Sequence, residues 1–501
     1  MSEKVKQLKA RLAQAANLNL AAGVLGWDQQ VNMPPGGAEA RGEQVTTLST
    51  IAHEIITAEE TGTLLEAAET EVTGLDYNDD EASLVRVARR NYDKQTKIPT
   101  ELVAEMSRVT TQAFGAWRQA REENNYPLFA PYLQKIVDLN IRIAEILGYA
   151  EHPYDALLDR FEPGITTAQV THLFDDLKTG LVPLIRDIAE RGKPVDDSFF
   201  HTDYNEGKQW DVTLALLRDI GYDFNRGRQD RAPHPFTTNF SCNDVRVTTR
   251  IQKNHPLSAI FSSVHEGGHA LYEQGIPERF DRTPLSGGAT LGLHESQSRL
   301  WENMLGRSRA FWQYLLPIMR AFFPENLTGV DLEQAYRAVN KVKPSLIRVE
   351  ADEVTYNLHI FVRFELEQSL VKGDLKVTDV PAAWSAKYEE YLGITPPSDT
   401  EGCLQDIHWS YGTIGYFPTY TLGNIIAAQL YNKMKADLPD LEVGFARGEF
   451  LPLLTWMREH IHKHGSKFTA PELLQRELGE EIRAQPLLDY MHAKYTKVYE
   501  L

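Results

Sequence analysis

The sequence predicts a mainly α-helical protein, large enough for two lobes, with one small β-hairpin. Three observations carry that expectation. Apolar residues recur at three- and four-residue steps through most of the chain, the spacing of helices with one buried face. The chain has 501 residues, more than one hydrophobic core ordinarily supports, so two or more lobes are expected. One stretch breaks the helical pattern: from Phe236 to Ile251 it reads FTTNFSCNDVRVTTRI. It is rich in Thr, Val and Phe around an Asn-Asp turn, the signature of two paired antiparallel strands.

In chain order, Val5, Leu8, Leu12 and Ala15 share one face of a first helix. Residues 100–123 and 127–147 read as two more. Thr166-x-x-Gln169 is a capping box opening a helix that ends near Gly192, and Thr469-x-x-Glu472 is a second such box. Residues 331–370 carry helical periodicity. Pro34-Pro35-Gly36-Gly37 and Pro396-Pro397 mark loops. No repeat and no clean linker interrupts the chain. It therefore reads as one domain over 1–501, with a mostly helical N-terminal lobe over 1–230 and a second half over 231–501.

Hydrophobic residues make up 42% and charged residues 24% of the chain, the balance of a folded globular protein. The formal net charge of -18 repels nucleic acid and anionic membrane surfaces, so neither is expected as a partner. The two cysteines, Cys242 and Cys403, cannot build a disulfide framework and fit a reducing cytoplasm. The opening MSEKVKQLKARLAQ has no apolar core of a signal peptide, and no run of about 18 apolar residues is present to span a membrane.

The chemistry concentrates in Ser263-Val264-His265-Glu266-Gly267-Gly268-His269-Ala270, an H-E-x-x-H pattern. Histidines four apart share a helix face and can both reach one zinc ion. Glu266 points beside the metal and is placed to take a proton from water. Phe261, Val264 and Leu271 make the segment helical, and Gly275 is expected to cap its end. Each of two adjacent glycines inside a helix is about 1 kcal/mol less favourable than alanine. A cause is therefore expected: close approach of a substrate or a strand.

A third ligand is needed. A metzincin would place Gly and His where Tyr272 and Gly275 stand, so that class is excluded. A glutamate from a following helix is the other common solution, and Glu295 lies in the helical segment Leu293–Trp301. Spacing alone leaves Glu295 open against a surface acid. His294 competes with it, but helix neighbours point about 100° apart, so only one of the two can face the metal.

Six segments, in order, resemble the thermostable carboxypeptidase Taq family of metallocarboxypeptidases: His234-Pro235-Phe236, Asp244-Val245-Arg246-Val247-Thr248, His265 to His269, His294-Glu295-Ser296-Gln297-Ser298-Arg299, Ile347-Arg348-Val349-Glu350-Ala351-Asp352 and Gly402-Cys403-Leu404-Gln405-Asp406-Ile407-His408-Trp409. Trp27-Asp28, Met33-Pro34-Pro35-Gly36 and Phe417-Pro418-Thr419-Tyr420 look familial too. The resemblance implies a two-lobed helical fold with a deep groove and a catalytic half over 231–501. It implies ligands His265, His269 and Glu295 with Glu266 as the base. It also implies a homodimer, activity with zinc or cobalt, and broad release of single C-terminal amino acids from peptides.

A carboxypeptidase must recognise a free carboxylate, for which an arginine fork is suited. Arg348 and Arg246 sit in the matching segments. For Arg348 the alternative is a helical salt bridge to Asp352, four residues on. Charge building on the scissile carbonyl calls for a donor besides the metal. His408, Tyr411, Tyr420 and His234 are candidates, each with a packed aromatic or a satisfied histidine as the alternative. The hairpin edge could pair with a substrate backbone. Trp27, Trp301 and Trp409 read as core, and both cysteines as inert. Rival readings are an endo-acting zinc oligopeptidase on the same scaffold and a non-catalytic helical zinc-binding protein. No G-x-M-E-N segment is present to hold an N-terminal amine, which disfavours an aminopeptidase.

Overall fold

Two runs of helices, over residues 3–219 and 256–499, flank a small sheet. The computed structural model describes residues 2–501. The first helix, Glu3–Val31, buries Val5, Leu8 and Ala15 on one side. Thr100–Glu123 and Tyr126–Leu147 follow the spacing read from the sequence. Both capping boxes form reciprocally. Thr166 and Gln169 open Thr167–Arg191, and Thr469 and Glu472 open Ala470–Leu478. Trp27, Trp301 and Trp409 are buried, and most of the buried apolar residues from Val5 to Tyr499, Trp301 and Trp409 among them, form one connected cluster. Both cysteines are buried and unbridged, and burial pushes both thiols up. Among the described residues no helix is long and apolar enough to cross a membrane.

Two expectations are refined and one is corrected. The helical periodicity over 331–370 resolves into two helices with a gap between them. Leu332–Val339 ends early, a 3-10 turn covers Arg348–Glu350, and helix resumes at Tyr356–Lys372. Pro344 lies in the gap; it lacks an N–H and bars its predecessor from helical backbone. A turn leads into the second helix at Asp352, whose carboxylate accepts from the backbone N–H groups of Val354 and Thr355, both at 3.0 Å.

The expected hairpin is real but belongs to a three-stranded mixed sheet. Strand β1 is Gln229–Arg231, β2 is Thr237–Ser241 and β3 is Asp244–Thr249, in the order β1-β3-β2. β1 pairs parallel with β3, and β2 pairs antiparallel with it. β1 has three residues, too few for an alternation to be read, and β2 is left as an edge.

The correction concerns the glycines of the H-E-x-x-H helix, Pro256–Gly275. Neither a substrate nor a strand explains Gly267-Gly268; two helices do. A Cβ on Gly267 would meet Leu217 of the helix Glu206–Asp219 at 2.8 Å and Ile220, just past that helix's end, at 2.9 Å. One on Gly268 would meet the Gln297 carbonyl and the Ser298 Cα at 2.8 Å, in the helix Leu291–Arg299. Gly275 is not a left-handed cap; it is the last helical residue, and a Cβ there would strike the His462 ring.

Side-chain atoms can shift away from a new methyl group at Gly267, but backbone cannot at Gly268. Gly268→Ala should therefore destabilise the protein by about 1–3 kcal/mol through overpacking, despite alanine's better helix propensity. Chemical denaturation of the two proteins checks this; an unchanged or raised stability would place the helix crossing elsewhere.

Candidate active site

His265 and His269 stand one turn apart on the helix Pro256–Gly275, with ring centroids 5.0 Å apart. The helix Leu291–Arg299 crosses it at Gly268. Its start is held by the Thr290 hydroxyl, which accepts from the Leu293 N–H at 3.0 Å, and by the buried Glu162 carboxylate, which accepts from the Gly292 N–H. Glu295 lies mid-helix. Its Oε2 is 3.7 Å from His265 Nε2 and 3.4 Å from His269 Nε2. Behind Glu295, Gly423 lets the helix Pro418–Asp437 pack directly on its side chain. The ligand atoms of His265, His269 and Glu295 all lie within 4.8 Å of one another. Donors around a tetrahedral ion with bonds of about 2.0–2.1 Å are separated by roughly 3.3 Å, so these residues fit a single metal ion in type and spacing.

Each of the three is fixed from behind. His265 Nδ1 lies 2.9 Å from Glu302 Oε2, an acceptor, so it carries the proton and Nε2 faces the cluster with its lone pair. His269 is oriented through a longer chain. Asn239 of β2 donates to Glu273 at 2.6 Å, and Glu273 accepts from His294 Nε2 at 2.8 Å. His294 Nδ1 is then an acceptor, and His269 Nδ1 donates to it at 2.6 Å, again leaving Nε2 free. Burial pushes His269 down to about 3, which keeps it neutral.

Glu295 Oε1 accepts from Arg299 Nε at 2.6 Å, and Oε2 from the Ser298 hydroxyl at 3.1 Å. Burial would raise Glu295, yet Arg299 and His265 hold it well below the usual carboxylate range. Glu302 sits in a π-helical continuation, Leu300–Leu305. Burial opposes its ionisation too, and Arg299, His265 and Arg307 bring it down to about 2. Glu266 is outside the ligand cluster. Its carboxylate accepts from the Thr237 hydroxyl of β2 at 2.7 Å, and burial raises its affinity for a proton.

A second set of groups adjoins this cluster. The Arg299 guanidinium lies 4.5 Å from the Tyr356 ring centroid, and the Tyr356 hydroxyl accepts from Arg348 Nη1 at 3.0 Å. Arg348 does not pair with Asp352 as a helical neighbour would. It donates from Nε and Nη2 to Asp406 Oδ1 at 3.0 and 2.8 Å, and lies 4.9 Å from the Tyr420 ring. Burial favours neutral Asp406, but Arg348 and Arg363 keep it ionised, well below the usual range. The Tyr420 hydroxyl is 3.2 Å from His408 Nε2, and burial pushes His408 down to about 4.

The sequence model described as Carboxypeptidase Taq (M32) metallopeptidase matches residues 7–495. The chain belongs to this carboxypeptidase family. It is a metallocarboxypeptidase, a peptide hydrolase. It is 43% identical over 483 residues to "Thermostable carboxypeptidase 1" of Thermus thermophilus, covering 94% of each chain. It is 39% identical over 490 residues to "Carboxypeptidase 1" of Bacillus subtilis, covering 98% of this chain and 97% of that one. The crystal structure of an M32 carboxypeptidase from Deinococcus radiodurans superposes with a TM-score of 0.96 at 42% identity, covering 99% of this chain and 100% of that one.

Within the carboxypeptidase, the candidates named from sequence divide. His265, His269, Glu295 and Glu266 come together, and Arg348, His408 and Tyr420 form the adjoining set. Arg246 does not join either. It pairs across the sheet with Thr238, on the face opposite Thr237 and Asn239, where Asp244 accepts two bonds from it at 2.8 Å and Trp27 stacks 4.4 Å away. Tyr411 is half exposed and stacks on Phe114, with ring centroids 5.5 Å apart. His234 is exposed. Thr237, Glu273, Arg299, Glu302, Tyr356, Asp406 and Arg363 had no role assigned from sequence. Arg299 and Glu302 were legible in principle: with Glu295 they recur at i, i+4 and i+7, a charged stripe in an otherwise buried helix.

Glu295→Ala should strip metal from the protein. His294→Ala keeps the three donors but frees the His269 ring, and should weaken binding by about tenfold while retaining one ion per chain. Competition with a chromophoric chelator separates the two; equal loss in both variants would leave Glu295 without a special place.

Proposed function

We propose that the enzyme removes single amino acids from the C-terminus of peptides, with one zinc ion held by His265, His269 and Glu295 and replaceable by cobalt. The observation that carries this reading is the path Glu295–Arg299–Tyr356–Arg348, which sets a cationic group at a fixed place beside the metal cluster. When bound, zinc supplies Lewis acidity, polarising the scissile carbonyl and easing loss of a proton from water.

The rest falls to the chain's own side chains. Arg348 receives the terminal carboxylate, so the peptide's end is held one residue past the bond to be cut. Glu266, raised by burial and steadied by Thr237, takes the proton of the attacking water and passes it to the leaving amine. The Tyr420 hydroxyl, backed by neutral His408, is the donor for the charge growing on the carbonyl oxygen. The edge of β2 offers backbone groups to the peptide. Recognition by backbone and carboxylate, rather than by a side-chain pocket, supports a broad range of C-terminal residues. A cytoplasmic homodimer is part of the proposal, and light scattering tests the dimer.

Glu266→Gln keeps the side chain's shape and removes its ability to accept a proton. Zinc content should stay at one ion per chain while kcat falls by about 10²-fold or more. Near-normal turnover by the zinc-loaded variant would assign the proton to another group.

A further inference from the structure

Asp406 is shared by two arginines, one oxygen each. Arg348 uses Oδ1, and Arg363 donates from Nε to Oδ2 at 2.6 Å. Arg363 is fully buried. Its Nη1 donates to the His359 carbonyl at 2.7 Å, and its guanidinium lies 4.4 Å from the Trp384 ring centroid. It cannot reach a peptide, and the chemistry above makes no direct use of it.

An arginine and a carboxylate ordinarily close on each other, two N–H groups against two oxygens. Here that closure is blocked because Arg363 holds Oδ2. Of the five N–H groups of a guanidinium, Arg348 gives two to Asp406 Oδ1 and one to Tyr356, which leaves two for another acceptor. The charge count agrees. Arg348 and Asp406 alone are neutral, whereas the trio carries one positive charge. Glu367, one turn along from Arg363, does not cancel it by an ion pair. Its carboxylate accepts instead from the Tyr154 hydroxyl at 2.6 Å, Trp409 Nε1 at 2.9 Å and the Gly415 N–H at 3.0 Å.

We infer that Arg363 is a positioning residue for substrate recognition: by occupying the second oxygen of Asp406, it keeps Arg348 open as a cationic fork for the peptide's terminal carboxylate. The inference rests on the role proposed for Arg348. Without Arg363, Asp406 turns both oxygens onto Arg348 and competes with the substrate for the same donors.

The test compares KM for one free-carboxylate peptide across four zinc-loaded proteins: wild type, Arg348→Met, Arg363→Met and Arg363→Met/Asp406→Asn. In Arg363→Met, KM should rise about tenfold or more with kcat within about threefold, the pattern of lost ground-state binding. Adding Asp406→Asn releases Arg348 and should return KM to within about threefold of wild type. A purely structural Arg363 predicts no such rescue. The double variant has no carboxylate left to pair, so it reports even if the single variant does not fold. A wild-type KM in folded Arg363→Met, or a tenfold rise persisting in the double variant, overturns the inference. An unchanged KM in Arg348→Met instead overturns the reading of Arg348 on which it rests.

Discussion

Glu295 and Glu302 lie seven residues apart on one face of a buried helix, and Arg299 stands between them. Its Nε meets Glu295 at 2.6 Å and its Nη1 meets Glu302 at 3.1 Å. Two carboxylates in such a dry place would not both ionise unaided. With the arginine between them they do, and each then has a task. Glu295 offers an anionic oxygen beside two imidazoles, and Glu302 accepts the Nδ1 proton of His265. Arg307 adds a contact to Glu302 at 3.3 Å. Without that positive charge, neither the anionic form of Glu295 nor the orientation of His265 is held.

The same guanidinium reaches outward. Stacked on Tyr356, it joins the His265–His269–Glu295 cluster to Arg348, and Asp406 and Arg363 extend that row into the core. Placement of a cation relative to the metal is what would separate an exopeptidase from an oligopeptidase on one scaffold. A groove alone admits a chain at any point, whereas a fixed cation admits only its charged end. The segment bearing Arg348 is itself secured from several sides. Its backbone N–H donates to Gln405 at 2.9 Å, Asp352 accepts from the Lys343 N–H at 3.0 Å, and buried Glu353 meets Lys494 at 2.6 Å. That rigidity matters, because small misplacements of a reacting bond carry large kinetic penalties.

Local patterns were legible in the sequence and long-range ones were not. The helix bearing His265 and His269, the two capping boxes and the β2–β3 pair each depend on residues within a few positions of one another. The partner of Arg348 does not. Asp406 is 58 residues away, while Asp352 sits at the helical spacing that suggested a pair. Pro344, with no N–H, marks a break inside the helical periodicity of 331–370. The reason for Gly267-Gly268 required knowing that two other helices cross there. His294 shows the limit of spacing arguments most clearly. Its sequence position made it a rival ligand, and only the fold gives it a place behind His269.

The central claim is that a metal cluster and a carboxylate-binding cation act at a fixed separation. The most direct measurement follows one peptide, as its free acid and as its C-terminal amide, by time-resolved mass spectrometry with the zinc-loaded enzyme. The account predicts a ladder of single-residue losses from the acid and almost none from the amide. Internal fragments, or equal trimming of the two forms, would contradict it.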